Sequence, residues 1–183
     1  MPVKIRGSSG IDRIHPDVLE RKNLVTTDEA VTINNIDEYI PSKSFISVWD
    51  NDSGTDFSAG AYCSMTNIRH RNNTSDFLLS DGIITCKKAG NYLITYDCTC
   101  YTTTADSRST GRAELRHNNT FVDGSHGYMY SRVNNNEWNT ATCSVIKALS
   151  VDDTIRLWAT RVTGSAALLF QGDANRITIM EIL

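Results

Sequence analysis

From Phe45 to the C-terminus the chain is written in short apolar runs broken by clusters of Asn, Asp, Gly and Ser. The rhythm within the runs is two residues long. In Gly90-Asn91-Tyr92-Leu93-Ile94-Thr95-Tyr96 the side chains of Tyr92, Ile94 and Tyr96 fall on one face of an extended strand. The same reading predicts strands over Phe45–Trp49, Gly82–Lys87, Tyr92–Thr102 and Arg112–Arg116. Phe121-Val122 returns after the turn His117-Asn118-Asn119, and Tyr128–Val133, Trp138–Ala148, Thr154–Val162, Leu168–Phe170 and Arg176–Leu183 complete the set. Roughly eight to ten strands with frequent turn signals, and no internal repeat, predict an all-β sandwich or jelly roll.

The last strand adds a constraint. Ile177, Ile179 and Leu183 share one face, Met180 and Ile182 the other, with only Arg176, Thr178 and Glu181 interrupting. A strand apolar on both faces is buried on both faces. One face of a sandwich strand meets the core, so the other needs a cover. Leu93, opposed to Tyr92 and Ile94, makes the same demand. A neighbouring subunit is the expected cover, and the N-terminal segment is the alternative. Tyr92, Ile94, Tyr96, Ile177, Ile179, Met180 and Ile182 are therefore the candidate core and subunit-contact residues.

Residues 1–44 have another texture. They hold all three prolines, Pro2, Pro16 and Pro41, and a flexible joint at Gly7-Ser8-Ser9-Gly10. Pro16 to Asn23 can form two helical turns. Ile11, Ile14, Val18, Ile33 and Ile36 are scattered apolar points, too few to make a core. The expectation is an arm, residues 1–44, that docks on something else, followed by a domain over residues 45–183.

The composition narrows the chemistry. A formal charge of −3 offers no broad basic field for nucleic acid, and no basic residue interleaves Tyr96–Tyr101. Arg69, His70 and Arg71 make one small basic spot, expected in a solvated loop. No apolar run is long enough to span a membrane, and residues 1–30 lack a secretory-type apolar segment. Five cysteines, an odd number without a secretory route, argue against a disulfide framework. Cys98 and Cys100 share a strand face with Tyr96, where two small buried hydrophobes fit better than a metal or redox pair, since metal pairs favour a Cys-x-x-Cys turn. The sequons at Asn51, Asn72, Asn73 and Asn118 read as products of an Asn-rich surface. His15, His70, His117 and His126 all lie in polar, turn-like segments, and neither a Gly-x-Ser-x-Gly elbow nor a His-Glu-x-x-His pair occurs. Asp123-Gly124-Ser125-His126-Gly127 reads as a turn rather than a ligand loop, and Asp152-Asp153 as a turn rather than a cation site. No enzyme, metal or cofactor is expected.

The order and spacing of Asn72, Phe77, Ile84, Gly90, Tyr92, Ile94 and Tyr96 resemble the pattern of the globular head of complement component C1q, which shares its jelly roll with tumour necrosis factor. The family has phenylalanine where this chain has Thr66, Ile84 and Ile94. Downstream, Ser144–Leu157 resembles the family's strand, tight Gly-Asp turn and strand, with Asp152 in the glycine position and Asp153 in the aspartate position. Phe170-Gln171-Gly172 resembles the Phe-x-Gly before the last strand. The resemblance spans about residues 45–183 and implies a C1q/TNF-like jelly roll that forms homotrimers, binds partners and does no catalysis. Jelly rolls of this kind also serve viruses, and Ser8-Ser9-Gly10-Ile11-Asp12-Arg13-Ile14 resembles the start of phage fibre and head-accessory proteins. The expectation is a virion surface protein, a capsid decoration (cement) or head-fibre trimer. Its arm would dock on the major capsid protein or another virion component through Ile11, Ile14, Val18, Ile33 and Ile36. A tail-fibre tip binding a host receptor or glycan, with a sugar-sized pocket in the Asn-rich loops, and a secreted complement-like binding protein are the alternatives.

Overall fold

The structure is a computed structural model that describes residues 43–51, 53–103, 108–132 and 138–182. The arm positions Ile11, Ile14, Val18, Ile33 and Ile36, the 16–23 segment and Leu183 lie outside the described residues.

Every regular element among the described residues is a β-strand. In chain order these are β1 (Phe45–Asp50), β2 (Ala61–Tyr62), β3 (Asn67–Arg71), β4 (Phe77–Ser80), β5 (Ile83–Cys86), β6 (Gly90–Tyr101) and β7 (Ser109–His117). β8 (Thr120–Phe121), β9 (Gly127–Ser131), β10 (Asn139–Leu149), β11 (Thr154–Gly164), β12 (Leu169–Phe170) and β13 (Asn175–Glu181) follow. They form two antiparallel sheets. The first runs β10-β6-β13-β1-β3, with β12 also on β6; the second runs β4-β5-β11-β7-β8, with β2 on β11 and β9 on β7. This is the predicted all-β jelly-roll sandwich.

Each strand anticipated from the two-residue rhythm is present. β2, β3 and β4 were not anticipated. Asn67–Arg71 in particular is an edge strand and not a solvated loop. An edge strand with its residues largely in water needs no apolar alternation, and charges on such an edge discourage stray pairing.

Alternation decides what is inside. On β6, Tyr92, Ile94, Tyr96, Cys98 and Cys100 point into the sandwich, and on β13 Ile177 and Ile179 join them, all fully buried. The second sheet answers with Ile84, Ala113, Leu115, Ile155, Leu157 and Ala159. Phe57 and Phe170 pack at 4.6 Å between ring centres at one end, and Phe77 meets Tyr92 edge-on at 5.6 Å at the other.

Tyr96 ties the two sheets together by a polar link. Its ring starts on β6, and its hydroxyl reaches across the core to the carbonyls of Ala113 on β7 (3.0 Å) and Ser125 (2.8 Å). Burial is the main reason that the phenol is held far above its usual ionisation range. Gly127 makes room for it: a Cβ there would stand 2.7 Å from the Tyr96 hydroxyl and 2.9 Å from the Ala141 Cβ. The loop Asp123–Gly127 is thus a working part of the sandwich. Between the β8 and β9 pairings, the Leu115 N–H donates to the Ser125 Oγ (3.0 Å) and the Val122 N–H to the Leu115 carbonyl (3.0 Å). A side-chain hydroxyl replaces the missing ladder partner, which meets the requirement that buried backbone groups be paired.

The Asp152-Asp153 turn is equally self-contained. Asp152 takes the left-handed conformation (φ 70°) that glycine would otherwise supply. Asp153 accepts from the Ser150 N–H (2.8 Å) and Asn118 (2.7 Å) and lies 2.9 Å from the His117 Nε2. The Ser150 hydrogen bond first, and Asn118 next, hold its carboxyl down at about 2.

Replacing Tyr96 by Phe keeps the ring and removes the buried O–H that the Ala113 and Ser125 carbonyls share. We expect a loss of about 1–3 kcal/mol in urea unfolding with an unchanged m-value. An unchanged midpoint would show that the hydroxyl is not the cross-core link described here.

Candidate functional site

The outward face of the first sheet is the part of the molecule whose pattern the sandwich does not use up. Four strands stand in register there, and their outward side chains line up in rows of distinct chemistry. The first row is Phe45–Met180–Leu93–Ile146 across β1, β13, β6 and β10, apolar from end to end. Ile146 is 68% exposed and Met180 41%. The second row, two residues along, is Ser47–Thr178–Thr95–Ser144. All four carry hydroxyls, which pair as Ser47–Thr178 (3.1 Å) and Thr95–Ser144 (2.9 Å). His70 on β3 stands opposite Ser47 and lays its ring 5.6 Å from that of Phe45. The third row is Trp49–Arg176–Asp97–Thr142. Arg176 pairs with Asp97 through Nε (3.1 Å) and Nη2, and Thr142 donates to the same carboxylate at 2.7 Å.

At the charged end the face opens into a cleft of about 610 Å³ lined by Trp49, Arg69, Asp97, Asp173, Ala174 and Arg176. Arg69 makes no ion pair or hydrogen bond among the described residues. The cleft lies on a sheet face; Asn51, Asn72, Asn73, Asn118 and Asn119, described residues of the Asn-rich segments, are not among its lining residues.

Two of the seven residues singled out for core and subunit contact belong to the outward side: Met180 is exposed and Ile182 half-buried. Tyr92, Ile94, Tyr96, Ile177 and Ile179 are completely enclosed within one sandwich, out of reach of any neighbour. Phe45, Ile146 and Trp49 were missed as outward residues. The alternate positions Phe45-x-Ser47-x-Trp49 carry the signal, but only the strand register shows which residues join in one row.

The polar candidates sort clearly. His70 sits on an edge strand, His117 ends β7 beside Asp153, and His126 stacks on Phe121 at 4.2 Å and lies 3.2 Å from the Glu114 Oε2. His117 and His126 are therefore partnered, which the polar text around them did not reveal. His15 lies outside the described residues. Among the described residues no group of three or more His, Cys, Asp or Glu is placed to hold a metal ion. All five cysteines are free thiols, and Cys63, Cys86, Cys98 and Cys100 are buried. Burial pushes the Cys63 and Cys98 thiols well up and Cys100 to about 12. Cys63 donates to the buried Asp50 carboxylate at 3.2 Å. Such thiols are inert core groups.

No protein-family model matches the chain, and a search of curated proteins finds no similar sequence. Solved structures are similar in fold. Murine APRIL at pH 8.5 superposes with a TM-score of 0.51 at 9% identity, over 77% of this chain and 100% of that one. The globular domain of zebrafish complement 1qA gives 0.50 at 16% identity, over 77% and 98%. The Eiger TNF from S. frugiperda gives 0.52 at 14% identity, over 77% and 93%. The fold is thus C1q/TNF-like, while identities this low leave the chemistry to be argued from this chain's own residues.

The thiol environments lead to one prediction. In the native protein an aromatic disulfide reagent should titrate Cys143, the half-buried thiol, while the other four react only after unfolding. Dithiothreitol should leave the melting temperature unchanged. A fall of more than about 5 °C on reduction would reveal a disulfide.

Proposed function

We propose that the chain is a non-enzymatic binding protein that assembles as a homotrimer through the outward face of its first sheet. The observation that carries this reading is the Phe45–Met180–Leu93–Ile146 row, an apolar band across four strands with Ile146 and Met180 open to water. Covering one such aliphatic side chain is worth about 1.5–3 kcal/mol. The hydroxyl row beside it is short enough for a second sheet to approach closely. The C1q/TNF-like fold supports the same reading by analogy.

The setting we propose is a virion surface. The arm, residues 1–44, would dock on a capsid protein or another virion component through Ile11, Ile14, Val18, Ile33 and Ile36. The trimeric jelly roll would face outward as a decoration protein or head fibre. The support is in the sequence: scattered apolar points and three prolines ahead of a self-sufficient domain.

A second reading, a receptor- or glycan-binding tip, is favoured by the cleft at Trp49. Its volume, about 610 Å³, suits a small saccharide, and it joins an aromatic ring to the carboxylates and guanidiniums of Asp97, Asp173, Arg69 and Arg176.

Two substitutions separate assembly from folding. Met180→Asp places a charge on the outward row and should give a folded monomer by light scattering with a cooperative thermal transition. Ile179→Asp places it in the core and should abolish folding. Wild-type protein that scatters as a monomer at micromolar concentration would refute the trimer.

A chain beginning at Ser44 should still assemble and should fail to bind particles that lack the native protein. Attachment as tight as that of the full chain would assign docking to the jelly roll.

A further inference from the structure

The outward face of the second sheet has a chemistry of its own. Tyr62, Trp158 and Glu114 form one row across β2, β11 and β7. Arg156, Arg116 and Phe121 form the row on one side, and Thr160, Arg112 and Tyr128 the row on the other. Guanidiniums lean into the middle row from both sides. Arg156 lies 3.5 Å over the Tyr62 ring and Arg116 4.7 Å over the Trp158 ring. Arg112 Nη2 is 3.3 Å from the Glu114 Oε2, and Arg116 pairs with Oε1. Gly60 lets the indole lie flat, because a Cβ there would stand 2.6 Å from the Trp158 ring. The result is a fixed alternation of rings and cations.

This arrangement is expensive for the fold alone. Arg156 and Arg116 are directly opposite on neighbouring strands, and like charges so placed repel. Among the described residues one carboxylate, Glu114, is shared by two guanidiniums, those of Arg112 and Arg116, and by the His126 ring 3.2 Å away. Its side chain is only 2% exposed, so its charge is spent beneath the surface. Arg156 has no anionic partner among the described residues, and the Nε atoms of Arg112, Arg116 and Arg156 have no hydrogen-bond partner there. A chain of net charge −3 thus gathers positive charge on one face. Beside it stand Tyr128 and Tyr130, 60% and 46% exposed. Arginine and tyrosine in a pre-ordered cluster are the residues that dominate protein–protein contacts, and stacked guanidiniums lose little freedom when they bind carboxylates.

We propose that this face binds an acidic, extended polypeptide segment of a partner protein. Arg112 and Arg116, four residues apart on one strand, are separated by about 13 Å, the distance between every second side chain on one face of an extended segment alongside. Carboxylates of that segment take the outward nitrogens of Arg112, Arg116 and Arg156, and its apolar side chains cover Tyr128 and Tyr130. The surface lies on the sheet opposite the Met180 row, so its test is independent of the assembly proposed above.

Fluorescence anisotropy on the full-length protein tests it with a short labelled peptide of Glu-Ser-Leu-Ser repeats, whose extended form carries glutamate and leucine on one face, a Lys-Ser-Leu-Ser counterpart, and heparin as a non-peptide polyanion. The glutamate peptide should bind, and binding should weaken as salt rises from about 50 to about 300 mM. Arg156→Gln and Arg112→Gln should each weaken it about tenfold, Tyr128→Ala severalfold, and Arg156→Lys less than Arg156→Gln. Each variant is first checked for a wild-type melting temperature. Should Arg156→Gln melt early, Arg112→Gln and Tyr128→Ala decide the matter. Equal binding by wild type and both glutamine variants, or no preference for the glutamate peptide over the lysine one, would overturn the proposal. Heparin bound more tightly than the peptide with the same arginine dependence would overturn the assignment to a polypeptide.

Discussion

The pairing of β6 with β13 at the centre of the first sheet is the constraint on which the rest of the molecule depends. Six consecutive register partners, from Arg176–Asp97 to Glu181–Tyr92, lock the two strands together. Their inward side chains, Tyr92, Ile94, Tyr96, Ile177 and Ile179, make the middle of the core. The second sheet is held over that centre at the distance the Tyr96 hydroxyl can span. Ser125 accepts from that hydroxyl and Gly127 leaves room for it, and the Ser125 Oγ also supplies the hydrogen bond that β7 lacks at Leu115. A single buried phenol therefore couples the sheet spacing to the course of the Asp123–Gly127 loop.

The same register governs the outside. Because β1, β13, β6 and β10 run in step, residues far apart in sequence fall into rows, the first apolar, the second bearing hydroxyls and the third centred on the Arg176–Asp97 ion pair. The face grades from apolar at Met180, through hydroxyls at Thr178, to charge at Arg176. A contact made there would be dry at one end and polar at the other, which gives it a fixed direction as well as affinity. The second sheet's outward face is built on different terms, with rings and guanidiniums interleaved and a single deep carboxylate beneath them. Two opposite faces with unlike chemistry suit a protein that joins copies of itself on one side and meets another molecule on the other.

The fold was legible in the sequence because burial leaves a two-residue trace. Tyr92-x-Ile94-x-Tyr96 and Ile177-x-Ile179 marked strands, and the glycine and aspartate turns marked their ends. β3 was hidden, since Asn-Ile-Arg-His-Arg at a solvated edge has no alternation to read. The doubly apolar character of the last strand was visible but overdrawn. Its outward side is apolar at Met180 and Ile182, yet polar at Thr178 and Arg176. The rows on the first sheet and the ring–guanidinium ladder on the second were out of reach, because both depend on strand register. Nothing in the sequence tells that Arg156 will stand opposite Arg116, or that Ile146 will line up with Phe45. The partners of His117 and His126 were hidden for the same reason, the carboxylates lying on the neighbouring turn and in the middle of a strand.

The central claim is that a second copy of the chain covers the Met180 face in solution. Oxidative footprinting of the intact protein measures this directly, with Tyr128 on the opposite face as the internal reference. Met180 is 41% exposed in the single subunit, enough to be oxidised readily if nothing covers it. The account predicts that Met180 is protected at micromolar concentration and becomes oxidisable on dilution, while the labelling of Tyr128 does not change. Oxidation of Met180 at a rate independent of concentration, in step with Tyr128, would contradict it.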